Sequence, residues 1–99
     1  MRPATPPSPV VTAVRFTPAS AGDARQGLLG FLRIEFEPGI QIDGATLRRT
    51  LGGQLTVTWP QRRDGHGRAH RIVHLTSGAA RRSVEAQVLD ALRGQGVLP

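Results

Sequence analysis

Residues 53–67 read GQLTVTWPQRRDGHG, and the organisation of the whole chain can be worked out from them. Over residues 55–59 apolar side chains alternate with polar ones, and a period of two predicts a strand with one buried face. Pro60 ends this strand, because proline cannot donate a hydrogen bond to a sheet ladder. Arg62 and Arg63 follow, directly before an Asp-Gly pair that is typical of a tight turn. The stretch therefore predicts a hairpin that displays two arginines at its mouth.

Four other segments show the same alternation and predict further strands. They are residues 10–17, 27–36, 40–51 and 68–75. In the third segment the apolar phase shifts by one residue near Asp43-Gly44, which predicts a β-bulge or a break there. The Gly52-Gly53 pair predicts the hairpin turn into the following strand. Residues 18–26 are small and polar and predict a loop.

A helix is predicted near the C-terminus, with Thr76-Ser77 as its N-cap and Gly94 as its C-cap. Apolar residues recur there every four positions, at Ala80, Val84, Val88 and Leu92. One apolar stripe suits a helix that covers one face of a sheet. The sequence thus predicts an α+β fold, an antiparallel meander of about five strands with a C-terminal helix packed on it.

The chain divides into one domain with a tail at each end. Residues 1–9 contain four prolines and predict a disordered Pro-rich tail, residues 10–94 form the domain, and residues 95–99 are a C-terminal tail. The domain is small, and only 4% of the chain is aromatic, so its core is thin. Pairing of an exposed sheet edge with a second copy would bury more surface, and we expect a homodimer formed through the sheet.

The amino-acid composition limits the cellular compartments in which we expect the protein. The chain has no cysteine, which excludes disulfides and thiolate metal sites. No apolar run reaches the ~18–20 residues that a membrane span needs, and the N-terminus lacks the layout of a secretory signal. We therefore expect a cytoplasmic protein with no membrane span.

The charge favours a polyanionic partner. Thirteen basic residues, all of them arginine, stand against seven acidic ones, for a net charge of +6 and a pI near 11.8. Nucleic acid is the first partner that this balance suggests, and anionic lipid the second. A genome rich in GC accounts equally well for arginine in place of lysine, but it does not account for the excess of positive charge.

Three short motifs occur in order along the chain. Residues 11–16 read VTAVRF, residues 55–65 read LTVTWPQRRDG, and residues 71–74 read RIVH. They resemble the patterns V-T-D-V-R-I/L, then L-F-V-x-M/F-P-S-R/K-R/K before Asp-Gly, then D-I-A/V-H, of the bacterial SpoVG family, small regulators of septation and sporulation. The closing helix falls at the matching distance, so the resemblance covers roughly residues 10–93.

The resemblance implies a small homodimer formed through its sheet, which binds DNA and RNA with little sequence preference and regulates genes. The chain departs from the family pattern at four places: Ala13 stands for its aspartate, Gln61 for its serine, Arg71 for a second aspartate and Leu75 for its proline. The third strand also needs a gap to align. The chain is therefore similar to a divergent member.

Three arginine pairs are candidates for phosphate contact: Arg62 and Arg63, Arg81 and Arg82, and Arg48 and Arg49. Guanidinium forks match phosphate oxygens, and a helix N-terminus adds free N–H groups for the second pair. The alternatives are solubilising charge on the hairpin, a solvated helix face in which Glu85 pairs with Arg81, and edge charge that discourages aggregation at Arg48 and Arg49.

Other chemistry finds little support in the sequence. His70 and His74 would share a strand face, but four residues along a strand span ~13 Å, too far for one metal ion. No nucleophile with its base, P-loop or dinucleotide fingerprint occurs. We therefore expect no enzyme activity, no metal, no cofactor and no small-molecule substrate.

Two functions remain open at this point. The first is a dimeric DNA- or RNA-binding regulator that grips the phosphate backbone. The second is a non-enzymatic adaptor in cell division or envelope regulation, which binds proteins through its sheet edge or its Pro-rich tail. A weaker third is a domain that docks on anionic membrane.

Overall fold

The computed structural model describes residues 9–99 and confirms the α+β class. The predicted tail of residues 1–9 lies outside the described residues except for Pro9. The elements in chain order are β1 (Val11–Pro18), α1 (Ala21–Arg25), β2 (Leu28–Phe36), β3 (Ile40–Arg49), β4 (Leu55–Thr58), β5 (Gln61–Arg63), β6 (Ala69–Arg71) and α2 (Gly78–Gly94).

The first four strands form one antiparallel sheet in the order β1-β2-β3-β4, and β5 and β6 form a separate two-stranded hairpin. The predicted bulge near residue 43 is confirmed, because the β2–β3 register shifts between the pairs Leu32↔Ala45 and Ile34↔Ile42. Gly44 lies in this shift with a φ of 86°, a left-handed conformation that glycine adopts without a steric penalty. The shift lets both halves of β3 turn apolar side chains to the same face.

The core lies between one face of the sheet and helix α2. The sheet contributes seven buried side chains: Val14, Leu32, Ile34, Phe36, Ala45, Leu47 and Val57. The helix contributes Val84, Val88 and Leu92, which have no solvent exposure. Their spacing of four residues is the stripe that the sequence predicts, and burial of each such side chain is worth about 1.5–3 kcal/mol.

Two side-chain amides hold α2 against β1. The Gln87 side chain accepts a hydrogen bond from the Val11 N–H (2.8 Å) and donates one to the Pro9 carbonyl (2.9 Å). The Gln95 side chain donates to the Val14 carbonyl at 2.8 Å. These bonds pair backbone groups of β1 that the sheet does not use, so they set where the helix lies on the sheet.

The helix ends follow the sequence closely. Ser77 is the N-cap, and its hydroxyl accepts a hydrogen bond from the Ala80 N–H at 3.0 Å, as predicted. At the other end Gly94 is still helical, Gln95 is the C-cap, and Gly96 takes the left-handed conformation with a φ of 80°. The helix therefore runs one residue further than the prediction, and the glycine that permits the turn is the second one.

Three segments differ from the sequence-based expectations. Residues 18–26 contain the short helix α1, which Ser20 caps by accepting from the Asp23 N–H, instead of being loop throughout. The strand predicted at residues 68–75 is only three residues long, since its pairing with β5 ends at Gln61↔Arg71, beyond which the Ile72 N–H donates to the Pro60 carbonyl at 3.1 Å. Leu98 is buried in the core, so part of the segment at residues 95–99 packs on the domain.

The opposite face of the sheet is open. In β1 and β2 its residues are exposed, and they are Ala13, Arg15, Thr17, Phe31, Arg33 and Glu35. No described helix lies over them. The domain therefore presents one covered and one uncovered sheet face.

Candidate nucleic-acid interface

A groove of about 470 Å³ lies between the edge strand β4, the β5–β6 hairpin and the first turns of α2. Three arginines from separate parts of the chain line it, Arg71 from β6 and Arg81 and Arg82 from α2, together with Gln61, His74 and Glu85. We call this the basic groove. With three guanidinium groups and one carboxylate it carries a formal charge of about +2 when His74 is neutral.

The arginines of α2 occupy the helix end that least suits a cation. The first turn of α2 contains no acidic residue. The Arg82 guanidinium folds back over this turn, since its Nη1 lies 3.1 Å from the position that a Cβ on Gly78 would take. The N-terminal end of a helix dipole is positive and repels a cation by a few tenths of a kcal/mol. Positive groups are thus gathered at a helix end whose first turn supplies no acidic side chain.

Arg71, Arg81 and Arg82 form no salt bridge with any residue from 9 to 99. The three salt bridges in this part of the chain join Arg33 to Asp43, His70 to Asp64, and Arg93 to Asp90. The guanidinium donors that line the basic groove are therefore free to bind an external anion.

The hairpin separates the two arginines that the sequence places together. Arg62 lies opposite His70 and Arg63 lies opposite Ala69, so the two side chains leave the ribbon on opposite faces. Arg63 is also engaged within the hairpin, where its Nη1 donates to the Gly67 carbonyl at 2.9 Å. Neither residue lines the basic groove.

Arg71 reaches the basic groove through the register of the same hairpin. It lies opposite Gln61, and both residues line the groove next to α2. In the sequence Arg71 stands out only as a departure from the SpoVG pattern, and no local pattern marks Gln61 or His74 as a site residue. The signal that could have found them is the Asp-Gly turn, whose position determines which residues of the two short strands face each other.

Asp64 holds the turn of the hairpin together. Its Oδ1 accepts hydrogen bonds from the backbone N–H groups of His66 (2.8 Å) and Arg68 (3.0 Å), and its Oδ2 lies 2.8 Å from Nε2 of His70. The hydrogen bond with His70, followed by those from the two backbone groups, lowers the pKa of Asp64 below its usual value of 3.8. The carboxylate form is thus the form that the turn requires.

Glu85 is the acidic residue of the basic groove. It lies on α2 and is half-buried, and this desolvation raises its pKa above 4.5, although the nearby Arg81 charge opposes the shift. The ion pair with Arg81 that the helical spacing permits does not form among the described contacts. Glu85 therefore tempers the positive charge of the groove instead of neutralising a particular arginine.

Arg48 and Arg49 lie at the end of β3, outside the basic groove. Arg48 is opposite Thr56 and Arg49 is opposite Leu55, so they also point to opposite faces of the sheet. The Arg49 N–H donates to the Gly27 carbonyl at 2.7 Å. Of the three sequence-selected pairs, only Arg81 and Arg82 are brought together on one surface with a further arginine.

Trp59 closes the inner side of the groove. Its ring packs against Phe36 with 6.5 Å between ring centroids, and its indole Nε1 is buried without a hydrogen-bond partner among residues 9–99. A buried N–H without an acceptor costs about 1–3 kcal/mol. The ring thus lies between the core and the groove, directly after β4 and not within it, whereas the sequence predicts a strand that includes residue 59.

Within residues 9–99 no group of three histidine or acidic side chains is close enough to hold a metal ion. His70 is bound to Asp64, and His74 lies beyond β6 instead of on its face. No helix in the same part of the chain has the length and apolar character needed to cross a membrane.

Comparison with known proteins identifies no relative of this chain. The chain matches no protein-family model, no curated protein and no solved structure.

Proposed function

We propose that this protein is a non-enzymatic, cytoplasmic nucleic-acid-binding regulator of the SpoVG type, which grips the phosphate backbone with the basic groove. Its part in gene expression and septation is proposed from the resemblance in the three sequence motifs. The phosphate-binding role is argued from the residues of the groove. The proposal includes a homodimer that duplicates the groove.

The observation that carries the proposal is the convergence of Arg71, Arg81 and Arg82 beside the first turn of α2, with no salt bridge to any described residue. Unpaired arginines at a helix N-terminus repel both the dipole and one another. A bound phosphate group removes this repulsion, because it accepts hydrogen bonds from several guanidinium groups at once. Phosphate contacts of this kind position a nucleic acid and carry no base information.

Binding through such contacts is driven by counterion release. Each neutralised phosphate of a duplex contributes about 0.9 to the slope of log K against log salt concentration. Three groove arginines in each of two subunits can make about six contacts, so affinity should fall by about 10³ between roughly 50 and 200 mM salt.

The test is a salt titration of labelled duplex DNA binding with the double variant Arg81→Gln/Arg82→Gln. Glutamine keeps much of the side-chain length and the helix propensity, so the fold should be unaffected. The matched control is Arg25→Gln/Arg93→Gln, which removes the same charge from outside the groove.

We expect the groove variant to lose at least tenfold in affinity at low salt, and its salt slope to fall by about 2 for each subunit that binds. The control variant should lose less than about threefold in affinity, since it removes charges that lie away from the groove and are screened by salt. Equal losses in the two variants would mean that net charge and not the groove accounts for binding. No binding by the folded wild-type protein at low salt would refute the proposal.

A second candidate, the protein-interaction adaptor, is favoured by a different surface. An apolar hollow of about 630 Å³ is lined by Pro9, Val10, Phe36, Glu37, Pro38, Ile40, Ile42 and Leu75. Val10 is 47% exposed and Ile40 is 56% exposed. Adjacent exposed apolar side chains favour a protein contact, with a second copy or with another protein.

Sedimentation velocity of Ile40→Asp against Ile72→Asp would test this surface. Both side chains are largely exposed, at 56% and 60%, but only Ile40 belongs to the hollow. If the hollow is the dimer contact, Ile40→Asp should be monomeric and Ile72→Asp dimeric. A monomeric wild-type protein that binds no nucleic acid would favour the adaptor.

A further inference from the structure

The open face of the sheet carries two directly opposed arginines, away from the basic groove, and the carboxylates of Glu35 and Asp43 line the same depressions. Arg15 in β1 lies directly opposite Arg33 in β2, and Thr17 lies opposite Phe31 two residues along. Directly opposed side chains on one sheet face have their Cβ atoms about 4.5–5.5 Å apart, and like charges there destabilise the pair. This arrangement therefore costs stability within residues 9–99.

One of the two charges is compensated and the other is not. The Arg33 Nε donates to Asp43 at 2.6 Å, and this bond lowers the pKa of the Asp43 carboxyl below 3.8. Arg15 forms no salt bridge with any residue in the part of the chain that the structure describes. The Arg15 guanidinium is thus exposed and makes no ion pair among these residues, although the Glu35 carboxylate lines the same depression.

An exposed aromatic ring lies next to this arginine. Phe31 is 46% exposed, although its neighbours Gly30 and Leu32 are buried in the core. It lines a depression of about 290 Å³ with Arg15, Thr17, Arg33, Asp43 and Gly44. A second depression of about 220 Å³ shares Arg15 and Arg33 and extends towards Ala13 and Glu35. Two adjoining depressions thus meet at the arginine pair.

We propose that this open face binds a short stretch of single-stranded nucleic acid, with one base stacked on Phe31 and an adjacent phosphate held by Arg15. We call it the Phe31 face. Single strands are bound in this way, by aromatic rings that stack bases and arginines that hold the backbone. A duplex cannot use the ring, because its bases are already stacked on one another. The inference rests on the proposed nucleic-acid binding, and it adds a single-strand site to it.

The charge of the face distinguishes this occupant from a second copy of the chain. A two-fold contact is self-complementary and brings the same patch of each subunit together. Such a contact across the Phe31 face would bury the Arg15 guanidinium of both subunits, which is costly unless each guanidinium is paired in the interface. A nucleic acid instead supplies a phosphate for Arg15 and a flat ring partner for Phe31.

The experiment measures fluorescence anisotropy with two probes, a labelled oligouridine of about ten nucleotides and a labelled duplex DNA. The variants are Phe31→Leu, which keeps an apolar side chain but removes the aromatic face, and Arg15→Gln. Phe31→Tyr tests rescue by another ring, and Arg25→Gln is the charge-matched control on α1. The three residues that are changed, Arg15, Arg25 and Phe31, are all exposed, so thermal melting should confirm that each variant folds.

We expect Phe31→Leu to weaken oligouridine binding by about tenfold, the loss of one stacked base, and to leave duplex binding unchanged. Arg15→Gln should weaken oligouridine binding and flatten its salt dependence more than Arg25→Gln does. Phe31→Tyr should bind like the wild type. This pattern would establish the Phe31 face as a single-strand site.

Three results would overturn the inference. If wild type and Phe31→Leu bind oligouridine equally well, the Phe31 face is not a single-strand site, and the proposed duplex binding by the basic groove is unaffected. If the wild type is a dimer and Arg15→Gln or Phe31→Leu is a monomer, the Phe31 face is the contact with a second copy of the chain. Failure of the wild type to bind either probe would remove the proposed function and the inference together.

Discussion

Arg62 and Arg63 are neighbours in the chain and leave the β5–β6 hairpin on opposite faces, with Arg62 opposite His70 and Arg63 opposite Ala69. A pair that is adjacent in a strand cannot grip one phosphate from one side, because successive side chains alternate. Arg63 is also tied to the Gly67 carbonyl. The hairpin contributes to the basic groove through Arg71 instead, from its second strand.

The three arginines on the strands of the hairpin, Arg62, Arg63 and Arg71, should therefore differ in their effect on duplex DNA binding. We expect Arg71→Gln to lose at least fivefold in affinity and about one unit of salt slope, because it removes a groove guanidinium. Arg62→Gln and Arg63→Gln should lose less than about threefold, as exposed charges outside the groove. Anisotropy titrations at several salt concentrations measure all three. A larger loss for Arg62→Gln than for Arg71→Gln would place the phosphate contact on the other face of the hairpin.

Glu85 should make duplex binding depend on pH. The Glu85 carboxylate opposes a phosphate in the basic groove, so affinity should rise as pH falls through its pKa, which burial raises above 4.5. Glu85→Gln should bind the duplex more tightly than the wild type at neutral pH. Its affinity should not show this rise as pH falls. His74 lines the same groove in both proteins, so only the difference between their pH profiles reports Glu85. Identical profiles would show that Glu85 lies outside the field of the bound anion.

Glu85→Gln should also change the stability of the protein, in a direction that the raised pKa of Glu85 predicts. A carboxyl whose pKa is raised by folding contributes stability below its unfolded pKa, and this contribution is lost as pH rises through the folded pKa. Glu85→Gln should consequently melt at a higher temperature than the wild type at neutral pH, and the difference should shrink at about pH 4. Thermal melts at the two pH values check both parts. A wild type that is more stable at neutral pH would indicate that Glu85 is paired in solution.

Asp64 should control the opening of the hairpin turn. Its pKa is lowered by His70 and by two backbone donors. Its contribution to the stability of the turn is therefore present above pH 3.8 and is lost as pH falls through the lowered pKa. Asp64→Ala removes both side-chain acceptors of Asp64 and should increase hydrogen exchange of the Arg68 amide at neutral pH. Asp64→Asn keeps one acceptor for the backbone and should protect this amide partly. Equal exchange in Asp64→Ala and wild type would show that the turn forms without the side chain.

Leu98 should contribute to the core although it lies near the C-terminus. It is 8% exposed and packs in the cluster that contains Leu92. Leu98→Ala should lower the free energy of unfolding by about 2 kcal/mol, at the lower end of leucine truncations because the terminal segment can adjust. Leu51→Ala is the matched control, since Leu51 is fully exposed, and it should change stability by less than about 0.5 kcal/mol. Urea denaturation of both variants measures the difference.

Local patterns were sufficient for most of the fold. The alternation of residues 28–36 and the four-residue spacing of Val84, Val88 and Leu92 each reflect one element with one buried face, which is a property of neighbouring residues. The bulge at Gly44 left a phase shift in the same pattern. The short helix α1 was missed because it buries no residue and hence leaves no apolar period.

The candidate site could be predicted only in part, because it combines elements that are distant in the chain. Arg81 and Arg82 were identified from their position at a helix start, which is local information. Arg71 joins them only because the β5–β6 register and the packing of α2 bring residues ten apart to one groove. The Arg15–Arg33 pair on the Phe31 face likewise depends on the β1–β2 register.

The sequence by itself determined the α+β class, the approximate positions of the four main strands and of helix α2, its N-cap at Ser77, and a net charge of +6. These follow from periodicity, capping and composition, which act over a few residues or over the whole chain. Only the tertiary structure decided which arginines share a surface, that Leu98 completes the core, and that one sheet face stays open. The reason is that strand register and helix placement minimise exposed apolar area over the entire domain, and charged side chains take the surface positions that this packing leaves them.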